Sequence, residues 1–281
     1  MECIPCIIRQ TIEVTHLLDL DTKKKKEVVR EVMKVLHRIP VTDMTPPEAT
    51  EIVHDVLKSL TQEKDLYKSV KKKFNEEALG LYSKMKKLIR QSADPLDTAV
   101  RLSIAGNVID FGAHSTFDVE KTIEEVLTQK FAIDHSDKFR EKLERAKNIL
   151  FIGDNAGEIV FDKLLVEELL PKVEFLTYAV KSEPILNDAT LEDAEEVKMT
   201  TLTQVIETGS KSPGTFLNLT TPEFKEAYRK ADLVIAKGQG NYETMEDLKD
   251  KPIFFLFKVK CPYLAEAIGV KKGDIVLFKS Q

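Results

Sequence analysis

The sequence predicts a helical first half followed by an α/β second half whose parallel sheet is covered on both faces. Two observations carry this reading. From Cys3 to about Lys147 the apolar residues recur at three- and four-residue spacings, and beyond Lys147 short β-branched or aromatic runs alternate with helical stretches. At 281 residues, 42% hydrophobic and 32% charged, with no long apolar run, the chain has the composition of an ordinary soluble protein. A division into 1–147 and 148–281 follows the change of period.

In the first half the helix starts are signalled by caps. Thr45-Pro46-Pro47-Glu48 is a capping box with proline in the first turn, and Asp94-Pro95-Leu96-Asp97 repeats the design with acidic residues. Within LSIAGNVIDFG, residues 102–112, Gly106 costs on the order of 1 kcal/mol against alanine. Its explanation is close helix packing, a helix end at Gly106 or Gly112, or Asn107 being brought to a pocket.

In the second half NILFIG, VEFLTYAV, DLVIAKG, PIFFLFKV and DIVLFK read as strands, and VKMTTLTQVIETG as a further one. Near-continuous apolar strands alternating with helices imply a parallel sheet between two helical layers.

Composition excludes several functions. The net charge of −5 argues against general phosphate-backbone binding, and the lysine clusters 23–26 and 71–73 read as solvated helix faces. MECIPCIIRQ lacks a basic segment followed by an apolar core, so a cytoplasmic protein is expected. Cys3, Cys6 and Cys261 cannot form a disulfide framework; Cys3-x-x-Cys6 is either a buried structural pair or a functional one. The sequence lacks G-x-x-x-x-G-K-[ST], G-x-S-x-G and a complete G-x-G-x-x-G.

In open parallel sheets ligands bind beyond the carboxyl ends of the strands. There the sequence places Asp154-Asn155-Ala156-Gly157, Lys181 with Asn187-Asp188-Ala189-Thr190, Lys237 with Gln239-Gly240-Asn241-Tyr242-Glu243, and Lys260-Cys261. Each acid or amide alone is explained as a helix cap. Their recurrence at successive strand ends is not. Carboxylates and a carboxamide are hard oxygen ligands suited to Mg²⁺ or Mn²⁺, and nearby lysines suit a phosphate.

The combination of Cys3-x-x-Cys6, SIAGNVIDFG, FIGDNAGE, LNDAT, TGSxxPGT and AKGQGNYE resembles the DUF89 family of metal-dependent damage-control phosphatases. The CxxC is similar to that of its mainly prokaryotic and archaeal subfamily I. The resemblance runs from residue 3 to about 261. It implies a helical domain on a Rossmann-like, mostly parallel three-layer α/β/α domain. It further implies Asp154, Asn155 and Asp188 as ligands of Mn²⁺, Ni²⁺, Co²⁺ or Mg²⁺, and a small phosphorylated metabolite as substrate, such as an oxidised purine nucleotide, one of its intermediates or a sugar phosphate. Two departures weaken a sugar-phosphate reading: Phe257 stands where larger relatives carry arginine, and Gln239 where they carry an acid.

On this reading Lys260, and secondarily Lys237, stabilise the phosphoryl oxygens, and the nucleophile is water or Asp154. Asn107, Asn241 and Glu243 line the substrate pocket. The alternatives are a phosphometabolite-binding protein without catalysis and a carboxylate methyltransferase, for which no glycine-rich cosubstrate signature is present.

Overall fold

The computed structural model describes residues 3–106 and 116–280. Three helices, α1 (Ile4–Leu17), α2 (Thr22–Arg38) and α3 (Pro46–Thr61), precede the long α4 (Lys68–Gln91), then α5 (Pro95–Gly106), α6 (Thr116–Thr128) and α7 (Ser136–Leu143). The Thr45 capping box forms as read: its hydroxyl accepts from the Glu48 N–H while the Glu48 carboxylate accepts from the Thr45 N–H. At Asp94 only half the design appears. Its carboxylate takes the Asp97 N–H, but the Asp97 carboxylate turns to Arg101 instead.

Seven strands form one sheet: β1 (Ile133–Asp134), β2 (Asn148–Ile152), β3 (Phe175–Val180), β4 (Gln204–Glu207), β5 (Leu233–Lys237), β6 (Ile253–Lys258) and β7 (Ile275–Lys279). Their order is β1-β7-β6-β5-β2-β3-β4, and every pair is parallel except β6 with β7. The connection between these two strands carries α12 (Pro262–Ile268), seven residues long. The chain re-enters beside the end it left, with Gly273 N–H bonded to Val259 O and Val259 N–H to Asp274 O.

The remaining helices, α8 (Glu158–Leu169), α9 (Leu191–Glu196), α10 (Pro222–Lys230) and α11 (Gly238–Met245), follow their strands. Alternate strand residues feed two cores. Phe151, Tyr178, Ile235 and Leu256 face α4, α5 and α8, whereas Ile152, Ala179, Ala236 and Phe255 face α10, α11 and α12. The first core joins α4–α7 to the sheet, so apolar packing is continuous across residue 147. Helices α1–α3 keep a core of their own around Val14, Val32 and Leu57. Gly106 is the last described residue of α5 and lies so close to α8 that an added β-carbon would stand 3.1 Å from Glu158 Cα and from Phe161 Cβ. Close helix packing explains that glycine; Asn107 and Gly112 lie outside the described residues. Among the described residues no helix is long and apolar enough to cross a membrane.

Candidate metal and phosphate site

Strand β2 is the point where the sheet order reverses: the chain moves from β2 to β3 and β4 on one side, and later to β5 and β6 on the other. The loops leaving β2 and β5 diverge there, opening a crevice at the strands' carboxyl ends. Gly153 ends β2 against the Tyr178 hydroxyl, with room for no side chain. Asp154 and Asn155 follow, and the turn closes at Gly157, whose φ of +76° suits glycine.

The helix-cap explanations do not account for these residues. Gly157, not Asp154 or Asn155, is the N-cap of α8. Thr190, not Asp188, caps α9, using a capping box with Asp193. Instead the two acidic loops are joined to each other. Asn155 and Asp188 form an antiparallel bridge, Ala189 N–H donates to Asp154 O at 2.8 Å, and Ala156 N–H donates to Asn187 O at 2.9 Å.

Electrostatics set this place apart. Asp154 and Asp188 are both buried. Burial, then the Glu158 charge, pushes the Asp154 carboxyl up to about 7, against the opposing pull of Lys260, Lys181 and Lys237. Burial, then Asp154 itself, pushes Asp188 well above the carboxylate range. Asp188 Oδ2 is buried without a hydrogen bond, and its ionic neighbour, Lys181 Nζ, stands 3.9 Å away. Lys181 is itself buried and donates to Gly214 O at 2.7 Å. Two mutually repelling carboxylates in a desolvated cleft are a costly arrangement unless a cation compensates them. Among the described residues no three His, Cys, Asp or Glu side chains form a metal-ligand group. The donor set present is two carboxylates and a carboxamide, and it fits a hard divalent ion.

The other expected site residues divide. Lys260 is exposed at the end of β6 and acts electrostatically on Asp154. Its N–H and that of Cys261 both donate to Gln239 Oε1, and the Gln239 amide in turn donates to Glu243 at 2.8 Å. Glu243 thus orders the loop that carries Lys260. Asn241 is fully buried: its amide donates to Gly153 O and Lys237 O, and its carbonyl accepts from Thr215. It ties together three loops of the crevice.

Lys237 differs most from expectation. Its ammonium points away from solvent and is taken up by Glu158, Asp162 and Ser103 O. The signal was present in the sequence. Leu233, Ile235 and Lys237 alternate onto one face of β5, and Glu158 and Asp162, spaced i,i+4, share one face of α8.

Comparison with known proteins shows what the chain is similar to. Residues 1–276 match the model of the damage-control phosphatase ARMT1-like domain. An uncharacterised protein of Methanocaldococcus jannaschii is 41% identical over 99% of this chain and 94% of its own. Damage-control phosphatases of Pyrococcus horikoshii and Archaeoglobus fulgidus are 35% and 34% identical, covering 100% and 98% of this chain and 97% and 96% of theirs. The crystal structure of a DUF89 family protein from Pyrococcus horikoshii superposes with a TM-score of 0.90 at 35% identity, over 100% of this chain and 98% of that one.

Proposed function

The chain belongs to the family of the damage-control phosphatase ARMT1-like domain, and on that premise we propose that it is a phosphatase whose divalent ion is held by Asp154, Asn155 and Asp188. The observation that supports this most is the buried Asp188 Oδ2, without a hydrogen bond and facing a second buried carboxylate across paired loops. Mn²⁺, Ni²⁺, Co²⁺ and Mg²⁺ all accept such oxygen donors.

The reaction is hydrolysis of a small phosphate monoester: a P–O bond to water forms as the P–O bond to the alcohol breaks, releasing inorganic phosphate. When bound, the cation supplies charge neutralisation at the phosphoryl oxygens. The protein supplies the rest. Lys260 adds a second positive charge from the β6 loop, held by the Gln239 and Glu243 contacts. Asn241 fixes the loops around the phosphate, and Gly238 leaves the Asp154 carboxylate the space it occupies. Residues 1–147 furnish the wall through α4 and α5. Damaged metabolites are the substrate class, with oxidised purine nucleotides or their intermediates ahead of sugar phosphates because Phe257 and Gln239 replace residues of the larger relatives.

Phosphate release from a panel of phosphomonoesters, with each of the four metals supplied separately, tests the reading. Activity that disappears in Asp154→Ala and Asp188→Ala, both folded, supports it. Full activity in both variants removes the metal assignment, and binding of phosphate esters without phosphate release favours the binding-protein alternative.

A further inference from the structure

Both proposed ligand loops converge on one buried side chain of the helical half. Asn75 lies on α4 and is fully buried. Its carbonyl accepts the Gly157 N–H at 2.7 Å, at the end of the Asp154–Gly157 turn. Its amide donates to Asp193 Oδ1 at 3.0 Å and to Glu196 at 2.8 Å. Asp193 is in turn the capping partner of Thr190, two residues after Asp188, accepting from the Thr190 N–H and hydroxyl at 2.8 Å each. One turn before Asn75 on the same face, Lys71 donates to Asp193 Oδ2 at 2.9 Å and pairs with Asp65.

These bonds specify the residue. Both amide protons of Asn75 meet carboxylates and its oxygen meets an N–H. An aspartate would set a carboxylate against two others, and a leucine, with the same branching, would leave the Gly157 N–H buried and unpaired. The geometry points to Asn75 as a positioning residue, which sets the distance between the loop carrying Asp154 and Asn155 and the loop carrying Asp188, and so the affinity for the divalent ion. This rests on the metal assignment proposed above. Groups beyond the ligands that orient them typically change metal affinity 10- to 100-fold when lost. Asn75 differs from the usual case in acting on the Gly157 N–H at one end and, through the Asp193 carboxylate, on Thr190 at the other, rather than on the ligands' own side chains.

The test is Mn²⁺ binding to the full-length protein without substrate, followed by electron paramagnetic resonance, together with thermal melting of the metal-free protein. Asn75→Leu, a neutral change, is expected to raise the Mn²⁺ dissociation constant by about tenfold or more while the metal-free protein remains folded. Asn75→Ser, smaller and still polar, carries the same expectation should the leucine variant not fold. Mn²⁺ affinity within twofold of wild type in a folded variant, even with a lowered melting temperature, would reduce Asn75 to fold support and overturn the inference. Asp188→Ala separates the two levels: if it binds Mn²⁺ as wild type does, the metal assignment fails and the role of Asn75 fails with it.

Discussion

The Asp154 carboxylate occupies the space that a side chain on Gly238 would need. A β-carbon at Gly238 would fall inside that carboxylate, and the φ of +76° at this position disfavours any other residue as well. Strands β2 and β5 are neighbours, so this contact joins the ends of the two loops that open the crevice. Gly238→Ala is expected to abolish phosphate release and to lower stability by about 1–3 kcal/mol from backbone strain and displaced packing. Kinetics and chemical denaturation read the two effects separately. Normal activity in a folded alanine variant would show that the Asp154 position does not matter to the reaction.

Beneath the site, the Lys237 cluster is a matter of stability. Its three polar contacts lie in a fully buried space between β5, α5 and α8. The same cluster takes the Ser103 hydroxyl at 2.7 Å and the Tyr178 hydroxyl at 2.8 Å, both onto Asp162. Removing one partner of a buried ion group leaves the others uncompensated, which costs about 3–5 kcal/mol. Lys237→Met should therefore unfold at distinctly lower denaturant concentration. A variant as stable as wild type contradicts this account of Lys237.

His54 sets an acid limit on the α1–α3 core. The ring is buried beside Tyr67 at a centroid distance of 6.1 Å, and its Nε2 has no hydrogen bond. Burial lowers its folded-state pKa to about 4, against about 6.5 in the unfolded chain. Between those values the unfolded chain binds the extra proton, so stability falls as pH drops from about 6.5 toward about 4, by at most about 3 kcal/mol. His54→Phe keeps the aromatic packing and should flatten that part of the pH–stability curve. Parallel curves for the two proteins over this window refute the assignment.

Asp188→Asn separates stability from function. Removing one of two repelling buried charges should leave the metal-free protein at least as stable as wild type. It should also remove the stabilisation that Mn²⁺ gives by binding the folded state. Melting curves with and without Mn²⁺ show both. A Mn²⁺-induced rise equal to that of wild type contradicts the role given to Asp188.

Much of this was legible in the primary structure because it depends on local pattern. The apolar runs of β2, β3, β5 and β6 mark their strands, and the polar residues after them lie where a parallel sheet directs ligands. Other features depend on distant partners. Strand β1 has two residues and exists through its pairing with β7, so no period announces it. The direction of β7 is fixed by its pairing with β6, a distant contact no local pattern reports. Lys71 and Asn75 sit in the helix KSVKKKFNEEALGLYSKMKKLIRQ, whose lysines resemble a solvated face, and only the approach of α9 makes two of its polar residues buried. The Cys3 thiol is raised by burial, then by Glu243 and Cys261, which places the start of α1 near the Lys260 loop; the sequence separation of more than two hundred residues hides that proximity.

We propose that Asp154, Asn155 and Asp188 together hold one divalent ion. A crystal grown with Mn²⁺ and measured for anomalous scattering at the manganese edge tests it directly. A strong peak is expected within coordination distance of the side-chain oxygens of all three residues. A fully occupied peak elsewhere, with none between the β2 and β3 loops, would contradict it.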